Sequence, residues 1–358
     1  MKLREGKISI LSLSIITLIT IVLMVFEFNS KSKVKTEYFE EKLQAAELTQ
    51  QSFDVIKEAV NSLNIPIDRI NDPNETGLIG LQYSPITTER GDLNAKLTST
   101  NPNFAGMIVT FFKDAGVKED DAVAVSLSGS FPALNVAVLS AMKILRLNPI
   151  IITSVGPSMW GANYPQFTYL DMESVLNQEG LSEFKTVAAS IGGEEDIGRG
   201  LSPEGREMID ASIARNNVQL LDVNNLEEAI IKRMEIFHEY GKVKLFINVG
   251  EQTTALAGAD ISTGFINPRQ IKLGKGLIAQ FSKAGTPVIN LIDINYLAEK
   301  YNLPITPIPL PEVGAGSLYY EFRYSVSQAI ISTIILLIIL FLVLRFDIDY
   351  YLKRRKDD

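Results

Sequence analysis

Ala122-Val123-Ala124-Val125-Ser126-Leu127-Ser128-Gly129-Ser130-Phe131-Pro132 is the stretch that decides how the middle of this chain folds. Its first six residues form a short apolar run, as expected of a strand buried on both faces. A small polar turn follows, and residues 133–146 read as a helix. Residues 149–155, Pro-Ile-Ile-Ile-Thr-Ser-Val, read as a second strand. The same alternation continues: strands over 186–191, 218–223, 245–249 and 287–292, helices over 203–216, 226–240 and 274–284. Buried strands separated by helices imply an α/β fold, with a doubly wound, mostly parallel, Rossmann-like sheet and right-handed crossovers. There is no internal repeat.

Outward from this region the chain changes character twice. Residues 64–103 are rich in Pro, Asn, Thr and Gly and read as an irregular arm, either functional or wrapping. Thr87, Thr88, Arg90 and Lys96 are its possible anion contacts, or ordinary loop residues. Before it, Phe39, Ala46, Phe53 and Val60 recur every seven residues, so 29–63 is expected to hold a juxtamembrane helix, packed on the domain or on a partner. At both ends lie apolar runs, within 8–28 and 325–344, each about the 20 residues a helix needs to cross a bilayer. The first lacks a small-x-small cleavage pattern and reads as an uncleaved anchor. Arg345 and the cluster at 353–356 make 345–358 a basic tail on the cytoplasmic side. Two spans then put both termini in the cytoplasm, and the central domain, 64–323, outside it.

Composition removes several kinds of chemistry. The chain has no cysteine and one histidine, His238, which excludes disulfides, thiolate metal sites, a cysteine nucleophile and a His–His pair. The net charge is −8; the first 28 and the last 35 residues each carry +1, leaving −10 on the middle. Such a domain repels polyanions, so no nucleic-acid partner is expected. No Gly-x-x-x-x-Gly-Lys-Ser/Thr loop occurs, which excludes a P-loop ATPase. No cofactor is expected.

Ligands of such sheets bind at the carboxyl ends of strands. Three strand ends carry small polar loops: Ser126–Pro132, Ile191–Asp196 and Val249–Thr254. The candidate ligand-binding residues are Ser128, Gly129, Ser130, Asn135, Gly192, Gly193, Glu251, Gln252 and Thr253. In the first loop Gly129 would admit a ligand close to the backbone, beside hydroxyls and a helix N-terminus; the plainer reading is a turn with a helix cap. Ser128, Asp222 and His238 follow the chain order of an α/β-hydrolase triad, but His238 falls within a helical pattern. Glu251 reads as a general base or a cap. Glu194, Glu195 and Asp196 read as a cation site or a solvated helix start. Trp160 reads as a ligand platform or a plug.

The segments Ser126–Asn135, Ile151–Gly156 and Trp160–Asn163, with Asn101–Phe104 and Thr168–Glu173, resemble the poly-γ-glutamate system protein family. The resemblance spans nearly the whole chain, both apolar runs included. It implies an accessory membrane component of the bacterial machinery that makes and exports poly-γ-glutamate, a capsule or secreted polymer. The expected partners are the other membrane subunits and the γ-linked glutamate polymer. No catalytic signature accompanies it. An extracytoplasmic γ-glutamyl hydrolase or transferase using Ser128 or Glu251, or a small-molecule binding module, are the other readings.

Overall fold

A computed structural model of the chain describes residue 8 and residues 10–346. The basic residues at 2, 4 and 7 and the cluster at 353–356 lie outside the described residues. In chain order the elements are α1 (Ile10–Phe28), β1 (Ser32–Lys35), α2 (Phe39–Ser62), α3 (Leu93–Ser99), α4 (Phe104–Asp114), β2 (Ala122–Ser128), α5 (Pro132–Ile144), β3 (Asn148–Gly156), α6 (Tyr169–Gln178) and β4 (Thr186–Gly192). They continue with α7 (Pro203–Arg215), β5 (Gln219–Leu220), α8 (Leu226–Glu239), β6 (Leu245–Val249), α9 (Thr253–Leu256), β7 (Gly264–Ile266), α10 (Leu277–Ala284), β8 (Val288–Leu291), α11 (Ile294–Lys300), β9 (Tyr320–Arg323) and α12 (Val326–Arg345). They divide into two units, one made of the chain ends and one of residues 37–319.

The larger unit is built on a seven-stranded sheet in the order β5-β4-β3-β2-β6-β8-β7. Every pairing is parallel except that of β7 with β8. From β2 the chain steps outward through β3, β4 and β5, then returns to the other side of β2 with β6. The order therefore reverses between β2 and β6. One face carries α6 and α7, whose Leu170, Ile209 and Ile213 pack on Val155 and Ala189. The other carries α8 and α10, where Ile230, Phe237 and Phe281 cover Ala124, Ile152 and Phe246.

Helix α2 belongs to this unit. Its stripe of Ala46, Phe53, Ile56 and Val60 is buried and packs against α4, α5 and α6. Of the two packings open for this helix, the one on the domain holds. The strand expected over 218–223 shrinks to Gln219–Leu220, an exposed edge pair with one neighbour. The irregular arm contains α3 and is laced to the loop after β3: Trp160 N donates to Leu81 O at 2.9 Å, Thr88 N to Pro157 O at 2.9 Å and Met159 N to Glu89 O at 3.0 Å. Trp160, at φ 58°, joins this seam through its backbone, its carbonyl accepting from Gly80 N at 3.2 Å.

In the smaller unit β1 pairs antiparallel with β9, Ser32 opposite Arg323 and Lys35 opposite Tyr320. The ladder sets α1 and α12 side by side, and Ser332 Oγ donates to Glu27 Oε1 at 2.8 Å. Among the described residues α12 is the one helix long and apolar enough to cross a membrane, with mean hydropathy 2.7; the apolar stretch of α1, Ser12–Phe28, is shorter.

Candidate functional site

Where strand order reverses, the loops leaving two neighbouring strands turn to opposite faces and open a crevice between them. Here a cleft of about 460 Å³ lies at the carboxyl ends of β2, β6 and β8. Ser130 and Phe131 reach it from β2, Ser158 from β3, Glu251 from β6, and Asp293 from β8. The arm supplies one further wall, Glu89 to Lys96, and the segment before β7 supplies another, Asp260 to Thr263.

Lys96 forms the floor. It sits on α3, whose N-cap Asp92 accepts from Asn94 N at 2.9 Å. The residue is only 2% exposed, and its Nζ lies 2.7 Å from Ser158 Oγ, donates to the Ser130 carbonyl, and stands 4.1 Å above the Phe131 ring. Among the described residues no carboxylate comes within ion-pair distance of Nζ. Burial therefore pushes Lys96 down to about 7 from its ordinary 10.5, although Glu89, Asp92 and Glu251 pull the other way. Ser158 is itself pinned, because its backbone N donates to Ser130 Oγ at 3.0 Å. The arm passes directly over it: a Cβ on Gly91 would stand 2.6 Å from Met159 O and 3.2 Å from Ser158 Oγ.

The rim has the opposite sign. Glu89, Asp92, Glu251, Asp260 and Asp293 line the cleft and are exposed, against the cations Arg90 and Lys96. Loss of solvent raises the Glu89 carboxyl, with help from Glu251 and against Lys96. A ligand with an ammonium group suits this rim.

The three loops named from the sequence share this edge of the sheet. A pocket of about 20 Å³, room for little more than a water, is lined by Ser128, Ser130, Gly193, Glu251, Gln252 and Thr253, and Thr253 Oγ1 donates to Gly193 O at 3.4 Å. Individual roles differ from expectation. Ser128 Oγ accepts from Ser130 N at 3.1 Å, closing the turn. Gly129 is required by the protein rather than by a ligand, since a Cβ there would stand 2.3 Å from Val155 O. Asn135 is fully buried and donates to Ser128 O at 2.8 Å. Gly192, at φ 84°, is buried against Gly156. Glu251 stands on the rim.

Gln252 is consumed by a polar network beneath the loops. Its Oε1 accepts from Ser126 Oγ at 3.0 Å and Ser154 Oγ at 3.1 Å, and its Nε2 donates to Ser126 O at 2.9 Å. At the centre is Arg233 of α8, fully buried and paired with Asp196 at 2.7 Å. Its Nη2 also donates to Ser154 Oγ at 2.9 Å and Ser190 Oγ at 2.7 Å. Asp196 is thus turned into the protein, while Glu195 pairs with Arg199. The two acids face different partners, and no group of residues able to hold a metal occurs among the described residues. The Ser128–Asp222–His238 triad does not form. His238 lies exposed in the last turn of α8, which returns the chain to the start of β6, whereas Ser128 ends β2 at the opposite edge.

Ser158, Glu89, Asp260, Asp293 and Arg233 escaped the sequence reading. Arg233 alone left a signal: it occupies the buried stripe Ala229, Ile230, Arg233, Phe237, where a charge needs a buried partner.

No family model matches the chain, and no curated protein gives a significant match to it.

Proposed function

We propose that this chain is an accessory membrane subunit of a poly-γ-glutamate synthesis and export system, and that its cleft grips the amino end of the γ-linked chain. The observation that carries the site assignment is the acidic rim around a buried lysine at the switch point. A polyanion laid along five carboxylates would be repelled. The amino end of a γ-linked glutamate chain differs from the rest in presenting an ammonium beside a carboxylate. The rim suits the first group, and the Arg90 guanidinium, which lines the same cleft, suits the second.

Two spans are part of the reading. The β1–β9 ladder joins the end of α1 to the start of α12, so α1 runs alongside α12 through any bilayer that α12 crosses. Ile331, Ile334, Leu337, Ile338 and Phe341 are exposed, an apolar surface suited to lipid or to partner membrane subunits. The basic residues of the tail support a cytoplasmic C-terminus, with residues 29–323 outside.

Calorimetric titration of the detergent-solubilised full chain with short γ-linked glutamate oligomers tests the binding. Saturable heat is expected for oligomers with a free amino end. N-acetylated oligomers should bind at least about tenfold more weakly, about 1.4 kcal/mol. Glu251→Gln should narrow that gap. Equal affinity for the two oligomers, or no heat with either, would overturn the reading.

A further inference from the structure

We propose that Ser158 and Lys96 form a nucleophile–base pair, and that the cleft opens the γ-glutamyl amide at the chain end it holds. This rests on the binding reading above and adds a reaction to it.

A serine hydroxyl is a weak nucleophile until a base within hydrogen-bond reach takes its proton, and lysine serves as that base when it can be neutral. Ser158 Oγ and Lys96 Nζ are 2.7 Å apart. The other hydroxyls of the loop are committed elsewhere: Ser128 Oγ accepts from Ser130 N, and Ser130 Oγ accepts from Ser158 N. Three groups surround Nζ, and a neutral amine, with two N–H groups and one lone pair, can satisfy all of them. With Lys96 charged, Nζ donates to Ser158 Oγ as well as to the Ser130 carbonyl; once neutral, its N–H groups serve the Ser130 carbonyl and the Phe131 ring and its lone pair can take the Ser158 O–H. A charged lysine at this depth would need a carboxylate partner, and none stands within reach among the described residues. The depressed pKa of Lys96, about 7, agrees with this geometry.

The chemistry closes with water as the one co-reactant. Ser158 Oγ attacks the amide carbonyl carbon while its proton passes to Lys96 Nζ. The C–N bond breaks, the nitrogen takes that proton from Lys96, and the amine leaves. A γ-glutamyl ester on Ser158 remains. Water then attacks the ester carbonyl, giving its proton to Lys96; Ser158 recovers the proton as the C–O bond breaks, and the product is a carboxylic acid that ionises.

The test uses the full chain in detergent and a fluorophosphonate probe, followed by peptide mapping. A single adduct on Ser158 is expected, forming faster as the pH rises through about 7, absent from Ser158→Ala, and slowed about a hundredfold in Lys96→Met. Amine release from γ-linked oligomers should follow the same pattern. Because the chain contains no cysteine, Ser158→Cys gives a second measure that survives any loss of fold in the alanine variant. Its alkylation by iodoacetamide should be at least about tenfold faster than in Ser158→Cys/Lys96→Met. An adduct absent from Ser158, or labelling and alkylation indifferent to Lys96, would overturn the pair. Oligomers that bind and stay whole, with Ser158 unlabelled, would sink this inference alone. Labelling of Ser158 without oligomer binding would instead remove the glutamate reading and with it the proposed substrate.

Discussion

Replacing Lys96 by methionine keeps a side chain of similar length and removes the titrating amine, so its effect on stability should depend on pH. Lys96 titrates at about 7 in the folded chain and at its ordinary 10.5 once unfolded. Its folded value is depressed, so between these limits the unfolded chain holds a proton that the folded chain has released. Stability therefore rises with pH across that window and is lost as the pH falls back toward 7. With about 1.4 kcal/mol for each pH unit at full slope, and less near 7 where the folded amine is half protonated, the gain between about pH 7 and about pH 9 is about 2 kcal/mol. Other groups titrate in the same range but are shared with Lys96→Met, so the difference between the two proteins isolates this amine. Urea unfolding of the detergent-solubilised chain, followed by the fluorescence of Trp160, its sole tryptophan, measures both. Wild type should gain about 2 kcal/mol more than Lys96→Met over the interval. Parallel behaviour, within about 0.5 kcal/mol, would mean that Lys96 keeps an ordinary charge when folded, and the argument for a neutral base at the cleft floor would fail.

Other perturbations report on the scaffold beneath the cleft. Asp196→Asn strips a partner from the fully buried Arg233 and should cost about 3–5 kcal/mol in the same urea titration. Arg233→Met should cost about as much, and the double variant clearly less than the sum of the two, because each single change leaves one buried group unpaired. Gly129→Ala should cost about 3 kcal/mol, since its Cβ would stand 2.3 Å from the Val155 carbonyl. Gly180→Ala meets open space but sits at φ 71°, so its cost should be about 1 kcal/mol, all of it backbone.

The central strands were legible because each is an apolar run buried on both faces, a pattern that needs no knowledge of neighbours. Residues read as 122–127, 149–155, 186–191 and 245–249 match β2, β3, β4 and β6 to within a residue at either end. Edge elements carry less of that signal. The strand read over 218–223 survives as two exposed residues, and β7, three residues from Gly264, was not foreseen. The loops at the carboxyl ends of strands were legible for the same reason as the strands: parallel pairing puts all such ends on one edge.

What the sequence determined by itself was thus the local pattern: apolar runs, helical stripes, the polar turns between them, and the shortage of cysteine and histidine that limits the chemistry. Strand order and the convergence of distant segments were decided only in three dimensions. Lys96 and Ser158 are 62 residues apart, and Asp196 and Arg233 are 37 apart. Nothing in the immediate neighbours of Ser158 marks it out. Its meeting with Lys96 depends on the arm folding back over the loop after β3, and Arg233 meets Asp196 because α8 crosses beneath the ends of β2, β3 and β4. Periodicity encodes which face of an element is buried; it does not encode what that face will meet.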